Sequence, residues 1–370
     1  MNISNSTPRN QSVYARQIAF AAAFLLPASK LLETPSILSK HALGDLLLPA
    51  ILHFLVQTLV LLGILYAASR SEKTLIERLK LSLGKGVFVL YALYAAYFLF
   101  AAVLPLLDLE KFVYAAFFDT APTTFTFGVF FFFSAYACVK GLRSIGRSAD
   151  LCIFLFLFPF FALLVMSLTE ADFSNLLPLF GAPFPKSATA FVKTAPHFSD
   201  AILLLPLIAN LRYREKDGVK ITVGYAAGAV FTLLFLAVFF AVYSTIAPRE
   251  HYAFSKIAQF FPALAVVGRI DLVFVYLLSI VLLFYTCLPL QYTTHLLARL
   301  CHTERRTLIS AILHILLFLF VLYMNRYYDT FYKLITAVPY AFWLFANILP
   351  LFLLLLPSKN GSAPKEKLYE

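Results

Sequence analysis

The 370-residue chain is short of charge. Only 13% of its residues are Asp, Glu, Lys or Arg, where a soluble domain carries about 25%. Acid is scarcest, with 19 acidic against 30 basic side chains. The four cysteines include no CxxC pair, so neither a disulfide framework nor a cysteine-spaced zinc site is expected. Catalytic motifs are missing too: there is no Walker A, GxSxG or HExxH pattern, and the acidic residues sit mostly at loop edges. The chain is therefore read as a non-enzyme that needs no cofactor or metal. A cleavable signal is also lacking. The first twelve residues are polar, and the first apolar run has no small-residue cleavage site, so it reads as a retained helix.

What the chain has instead is apolar length. Hydrophobic residues make up 61%, with 40 Phe and 20 Tyr, in repeated runs of about 20 residues. That pattern predicts an all-α, multi-pass membrane protein; the runs are too long for barrel strands of about ten residues. Ten spans are expected, near 14–38, 43–69, 86–107, 122–142, 149–169, 189–211, 220–246, 270–298, 305–324 and 332–356. Twenty of the thirty Lys and Arg then fall on one side and nine on the other, with Lys30 inside a span. The positive-inside rule places both termini in the cytoplasm. The net charge of +11 is thereby a topology signal, and no nucleic-acid partner is expected.

The implied organisation is a cytoplasmic tail at 1–13, one transmembrane domain at 14–357 and a second cytoplasmic tail at 358–370. Segment 71–85 reads as an amphipathic helix with Leu75, Ile76 and Leu79 on one face. Residues 170–188 read as an ordered loop, and 255–261 as a short helix at the outer mouth.

Two spans are interrupted by polar residues at matching depth. Span 1 carries Pro27-Ala28-Ser29-Lys30 and Glu33; span 6 carries Pro196-His197-Phe198-Ser199-Asp200. Lipid satisfies neither a freed backbone group nor a bare charge, so such breaks belong beside a protein-walled cavity. Spans 1 and 6 are the first of each five. Transporters built from two inverted five-helix repeats interrupt those same helices. The candidate ligand-binding residues are Pro27, Ala28, Ser29, Lys30 and Glu33 of span 1, Tyr94 and Tyr97 of span 3, and His197, Ser199 and Asp200 of span 6. Asp200 suits a counter-ion for a ligand amine or a protonatable switch. Lys30 suits a ligand carboxylate or neutralisation of Asp200. The alternative is a structural pair, Lys30–Asp200 or Lys30–Glu33, that only holds the bundle together. His53, Gln57, His314 and Asn347 read as interhelical hydrogen-bonding groups, and Ser279, Thr286 and Gln291 as the lining of a cavity or an ion site on span 8.

Several short elements, taken in order, resemble those of the B subunits of spore germinant receptors, the endospore germination permeases of the amino acid–polyamine–organocation superfamily. Gln17 opens span 1, and Arg147-Ser148-Ala149-Asp150 enters span 5. Asn175-Leu176-Leu177-Pro178-Leu179-Phe180-Gly181 is similar to the family's Asn-Leu-x-Pro-x-x-Gly loop. Phe198-Ser199-Asp200 with Pro206, Phe261-Pro262, and Gly268-Arg269-Ile270-Asp271 follow. The chain departs from the family in having Ala28 where glycine is usual, Asp200 where Glu is usual, and Gly268 in place of an acid. The resemblance implies a LeuT-like 5+5 inverted repeat in the spore inner membrane. It implies a small, amino acid-like germinant bound between broken helices 1 and 6. It further implies an A-type membrane subunit and a C-type lipoprotein as partners that receive the signal to germinate. The alternative expectation is an ion-coupled amino-acid transporter.

Overall fold

Apolar runs in a bilayer must satisfy their backbone groups internally, and the helix does this within one segment. In the computed structural model, which describes residues 13–70, 73–117, 123–178, 181, 184–259, 271–303, 305–325, 327, 330, 333 and 339–355, every regular element is helical. The helices are α1 (Ala15–Ser29), α2 (Thr34–Ala42), α3 (Leu47–Ser69), α4 (Leu75–Leu83), α5 (Val87–Phe117), α6 (Thr123–Lys140) and α7 (Leu142–Ser167). They continue as α8 (Phe184–Thr194), α9 (Asp200–Ala209), α10 (Asp217–Tyr243), α11 (Ala253–Gln259), α12 (Asp271–Leu300), α13 (Arg306–Asn325) and α14 (Pro339–Leu351). Among the described residues, seven helical segments are long and apolar enough to cross a membrane. The bent pair α1–α2 makes an eighth, and α6 and α14 supply two shorter apolar segments. These follow the order of the expected spans.

Span 1 is broken where the sequence places Pro27. Pro27 has no N–H to give the turn behind it, and the helix widens into a π turn over Ala21–Leu25, where Leu26 N–H reaches Ala21 O. Residues Lys30 to Glu33 leave the helix, and α2 departs at 65°. The freed carbonyls are met from outside the span. Phe254 N–H donates to Leu31 O at 3.0 Å and Ala253 N–H to Leu32 O at 2.9 Å, so the start of α11 closes the break. α10 packs directly on the π turn because it presents glycine there. A Cβ on Gly224 would stand 2.4 Å from Ala19 O, and one on Gly228 would stand 2.4 Å from Ala22 O.

Two of the sequence elements meet in space. Gln17 Nε2 donates to Asp150 Oδ2 at 3.1 Å, with Arg16 at 3.4 Å from the same carboxylate, tying the starts of α1 and α7. The Asn175 loop is pinned to the end of α10 by Asn175 Nδ2 donating to Ala241 O, and Gly181 N–H donates to Asp45 in the turn before α3. Hydrogen bonds from the Ser174 side chain and backbone N–H hold the Asp172 carboxyl below its ordinary range.

Element ends differ from the expected spans at several points. α5 runs on past Asp108, Glu110 and Lys111 to Phe117, and α7 starts at Leu142, directly after Gly141 at φ 76°. α8 begins at Phe184 inside the expected loop, with Pro185 in its first turn, where a missing N–H costs nothing. The short helix at the mouth is Ala253–Gln259. Both tails, residues 179–180, and the elements at 261–262 and 268–270 lie outside the described residues.

Gly228→Leu drives a side chain into the π turn. It is expected to lower stability by about 1–3 kcal/mol, read as a fall in melting temperature of the purified protein. Gly86→Ala, whose Cβ would meet nothing nearer than 3.9 Å, is expected to leave the melting temperature unchanged.

Candidate ligand-binding site

Span 6 is interrupted opposite the break in span 1. α8 ends at Thr194, Ala195–His197 form a 3-10 turn, Phe198 and Ser199 are non-helical, and α9 starts at Asp200. The two breaks are joined by a buried ion pair. Lys30 Nζ lies 2.5 Å from Asp200 Oδ1, with side-chain exposures of 2% and 3%. Tyr225 of α10 donates to the other carboxylate oxygen at 3.0 Å, and the Lys30 ammonium lies 5.5 Å from the Phe198 ring centre. Asp200 thus receives a charged and a neutral donor, which is what a buried carboxylate needs.

The backbone of the second break is held from α3. Gln57 Oε1 accepts from Ala201 N–H at 3.0 Å, and Gln57 Nε2 donates to Asn347 of α14 at 2.6 Å. His53, one turn away, donates from Nε2 to Phe191 O at 2.8 Å and is stacked between Phe191 and Phe198. His314 binds Ser134 and Ser310 between α13 and α6. His53, Gln57, Asn347 and, through Ser134, His314 make interhelical contacts, as the sequence suggests, while the Ser310 contact of His314 lies within α13.

Between the two breaks, α5 and α12 lies a cavity of about 90 Å³. Its polar wall comes from Ser29, Glu33 and Thr34 of the first break, His197 and Ser199 of the second, Asp108 of α5 and Thr286 of α12. Tyr97, Phe100 and Tyr285 supply aromatic faces. Ser199 Oγ is buried on this wall, with the Tyr97 hydroxyl as its hydrogen-bonding neighbour. A second cavity of about 70 Å³ sits towards α4, walled by Leu75, Ile76 and Leu79 of that helix with Tyr91, Tyr94 and Tyr292. Successive turns of α9 separate the two: Leu203 lines the first, Leu205 and Pro206 the second. The partition is Phe98 against Tyr292, ring centres 5.0 Å apart, with Tyr292 donating to Leu203 O at 2.8 Å.

Of the ten candidates, Ser29, Glu33, Tyr97, His197 and Ser199 line the first cavity together. Lys30 and Asp200 are not among its lining residues; they face each other within the wall. Pro27 and Ala28 are buried, with Pro27 towards Gly228 of α10. Tyr94 lies on the other side of the partition, because one helical turn from Tyr97 is enough to cross it. Among the span 8 residues, Thr286 reaches the cavity, Ser279 donates to Val275 O, and Gln291 donates to Ser144 and Ala137 O. Sequence reasoning missed Asp108, Tyr285 and Tyr225. The placement of Tyr285 beside Thr286 was available as a signal; nothing marks Tyr225 as the partner of Asp200.

Comparisons with known proteins bear on the family and the fold. The family model described as "Spore germination protein" matches residues 17–328. The solved structure of a histidine-to-alanine mutant of the Eremococcus coleocola manganese transporter superposes with a TM-score of 0.56 at 13% identity, covering 93% of this chain and 80% of that one. At that identity it shows the fold, which is LeuT-like with helices 1 and 6 interrupted. No curated protein sequence matches the chain.

Removing one partner of a buried pair leaves a bare charge, which costs about 3–5 kcal/mol. Lys30→Met and Asp200→Leu are each expected to lower the melting temperature of the purified protein sharply. The double substitution, which removes both charges, is expected to regain most of that loss.

Proposed function

The chain belongs to the spore germination protein family, and from that premise we propose that it is the germinant-binding membrane subunit of a spore nutrient receptor. The observation that carries the reading is the cavity bounded by both helix breaks. Ser29 and Glu33 reach it from one, His197 and Ser199 from the other, while Lys30 and Asp200 tie the two together behind it. A ligand there touches both interrupted helices at once. It can therefore favour one arrangement of the two over another by its differential contacts.

The ligand is a small, amino acid-like nutrient, in keeping with the size of the cavity. The protein sits in the spore inner membrane with both termini in the cytoplasm. The cavity then faces outwards, and the cavity beneath α4 faces the cytoplasm. The altered arrangement passes to an A-type membrane subunit and a C-type lipoprotein. The organisation is one transmembrane domain between two cytoplasmic tails, and the protein performs no catalysis. The rival reading, an ion-coupled amino-acid transporter, draws on the second cavity across a thin partition. Uptake of amino acid into proteoliposomes under an imposed proton or sodium gradient would favour it.

Ser29 is half-buried on the cavity wall, and its hydroxyl donates to Leu26 O. Spores carrying Ser29→Phe, which fills the cavity, are expected to form normally and hold a normal level of the protein, yet germinate at least about tenfold more slowly in the nutrient. An unchanged nutrient response in the Ser29→Phe spores would overturn the reading.

A further inference from the structure

We infer that the second cavity, the one beneath α4, holds an anionic phospholipid, with an acyl chain in its apolar chamber and the phosphate at its rim on Arg299. The inference is independent of what binds between the two helix breaks.

The walls call for hydrocarbon. Leu75, Ile76 and Leu79 of α4, Leu90 of α5, Leu296 of α12 and Leu353 after α14 help to enclose about 70 Å³. Asn210 lies on the wall too, but its amide donates to Pro206 O. A peptide entering here would bring backbone N–H and C=O groups that such walls leave unpaired, whereas an acyl chain brings none. α4 is held in place as one wall. The Thr74–Glu77 capping box closes its start, and Arg78 donates to Ala67 O of α3. Leu81 and Leu83 at its other end are exposed. The helix thus presents apolar residues both to the cavity and outside the protein, as a helix lying in a membrane interface does. That sets lipid chains and headgroups beside the cavity.

The rim calls for an anion. Arg299 is in the last turn of α12, one turn beyond His295, which lines the cavity. Its guanidinium carbon stands 5.8 Å from the ring centre of Tyr91, another lining residue. Arg299 Nη1, His295 Nε2 and the Tyr91 hydroxyl are each buried and without a hydrogen-bond partner among the described residues. Buried polar atoms left in that state are rare, and a charged donor is the costliest of them. A phosphate oxygen is the acceptor that a guanidinium donor takes best. The surrounding charge has the matching sign. Lys80 at the end of α4 and Arg306 at the start of α13 lie, with Arg299, within electrostatic reach of His295. Cations from three helices therefore converge at the mouth of an apolar chamber between spans, an arrangement that takes an anionic headgroup. A free phosphate would use the rim alone and a neutral lipid the chamber alone; an anionic phospholipid uses both.

The test is native mass spectrometry of the purified full-length protein in detergent, titrated with phosphatidylglycerol or with phosphatidylcholine of the same chains. Melting temperature is the second readout. One phosphatidylglycerol is expected to be retained per protein, at least about tenfold more tightly than phosphatidylcholine. Arg299→Gln is expected to weaken phosphatidylglycerol by about 10- to 100-fold, the range for a hydrogen bond to a charged group. Lys80→Gln is expected to weaken it about fivefold, as one cation near an anionic headgroup does. Lys80 is exposed, so this variant serves should Arg299→Gln fail to fold. Leu79→Trp, which fills the chamber, is expected to abolish retention. Equal retention of the two lipids, a preference unmoved by both charge substitutions, or retention unmoved by Leu79→Trp would overturn the inference. So would glycerol phosphate raising the melting temperature as far as phosphatidylglycerol does, which would make the rim a site for a free anion.

Discussion

The contact between Lys30 and Asp200 is the constraint on which the rest of the structure depends. Each charge alone at membrane depth would cost at least about 2.5–3.5 kcal/mol. Together, with the Tyr225 hydroxyl on the second oxygen, they form a satisfied group. Two helices must lose their regular course for this to happen. Lys30 sits on the turn that leaves α1, and Asp200 opens α9. The backbone groups freed by those departures create further demands, and each is met by a different element. α11 donates to Leu31 and Leu32, α3 accepts from Ala201 through Gln57, and Gln57 reaches on to α14. The ion pair thus recruits much of the bundle, through the rule that lipid leaves no polar group unmet.

A second consequence concerns the cavity. Because the pair is self-contained, it removes the strongest cation from the space between the breaks. The described charged residues on its wall are Glu33 and Asp108. A lysine that from sequence suits either a ligand carboxylate or Asp200 is held by Asp200 in this structure. The outcome depends on geometry: Lys30 meets Asp200 across 170 positions of sequence and makes no ion pair with Glu33, three positions away.

The fold was legible because membrane physics leaves a strong record. Runs of about 20 apolar residues, charge alternation between loops and proline in span 1 each report a constraint that admits few solutions. The breaks were legible for the same reason: Lys30 and Asp200 are too costly to be left in lipid. Positions along the helices were harder. α5 runs past the expected end of span 3 at residue 107, and Asp108, just beyond it, lies on the cavity wall. Hydropathy reports how apolar a segment is, and it does not separate a polar residue at an interface from one in an internal cavity. Tyr94 and Tyr97 share a helical face but fall on opposite sides of the partition, since depth along a helix changes by about 1.5 Å per residue and a partition is one side chain thick. The partner of Asp200 on α10 was beyond reach, because hydrogen bonds between distant spans leave no mark in local pattern.

α9 is the element through which occupancy of the cavity would be transmitted. It meets the cavity at Ser199 and Leu203, the ion pair at Asp200, α3 at Ala201 and the partition at Leu203 O, all within five residues. A ligand that pulls on Ser199 therefore acts on the same short stretch that holds Tyr292 against Phe98. One hydroxyl-to-carbonyl bond and one ring contact hold that partition, and each is worth about 1 kcal/mol. Contacts of that size lie within what a small ligand can shift, whereas the buried pair does not. The fold therefore combines a rigid tie between its two breaks with a weak partition beside it. Sensing and transport on this architecture differ in whether that partition opens far enough for the ligand to pass.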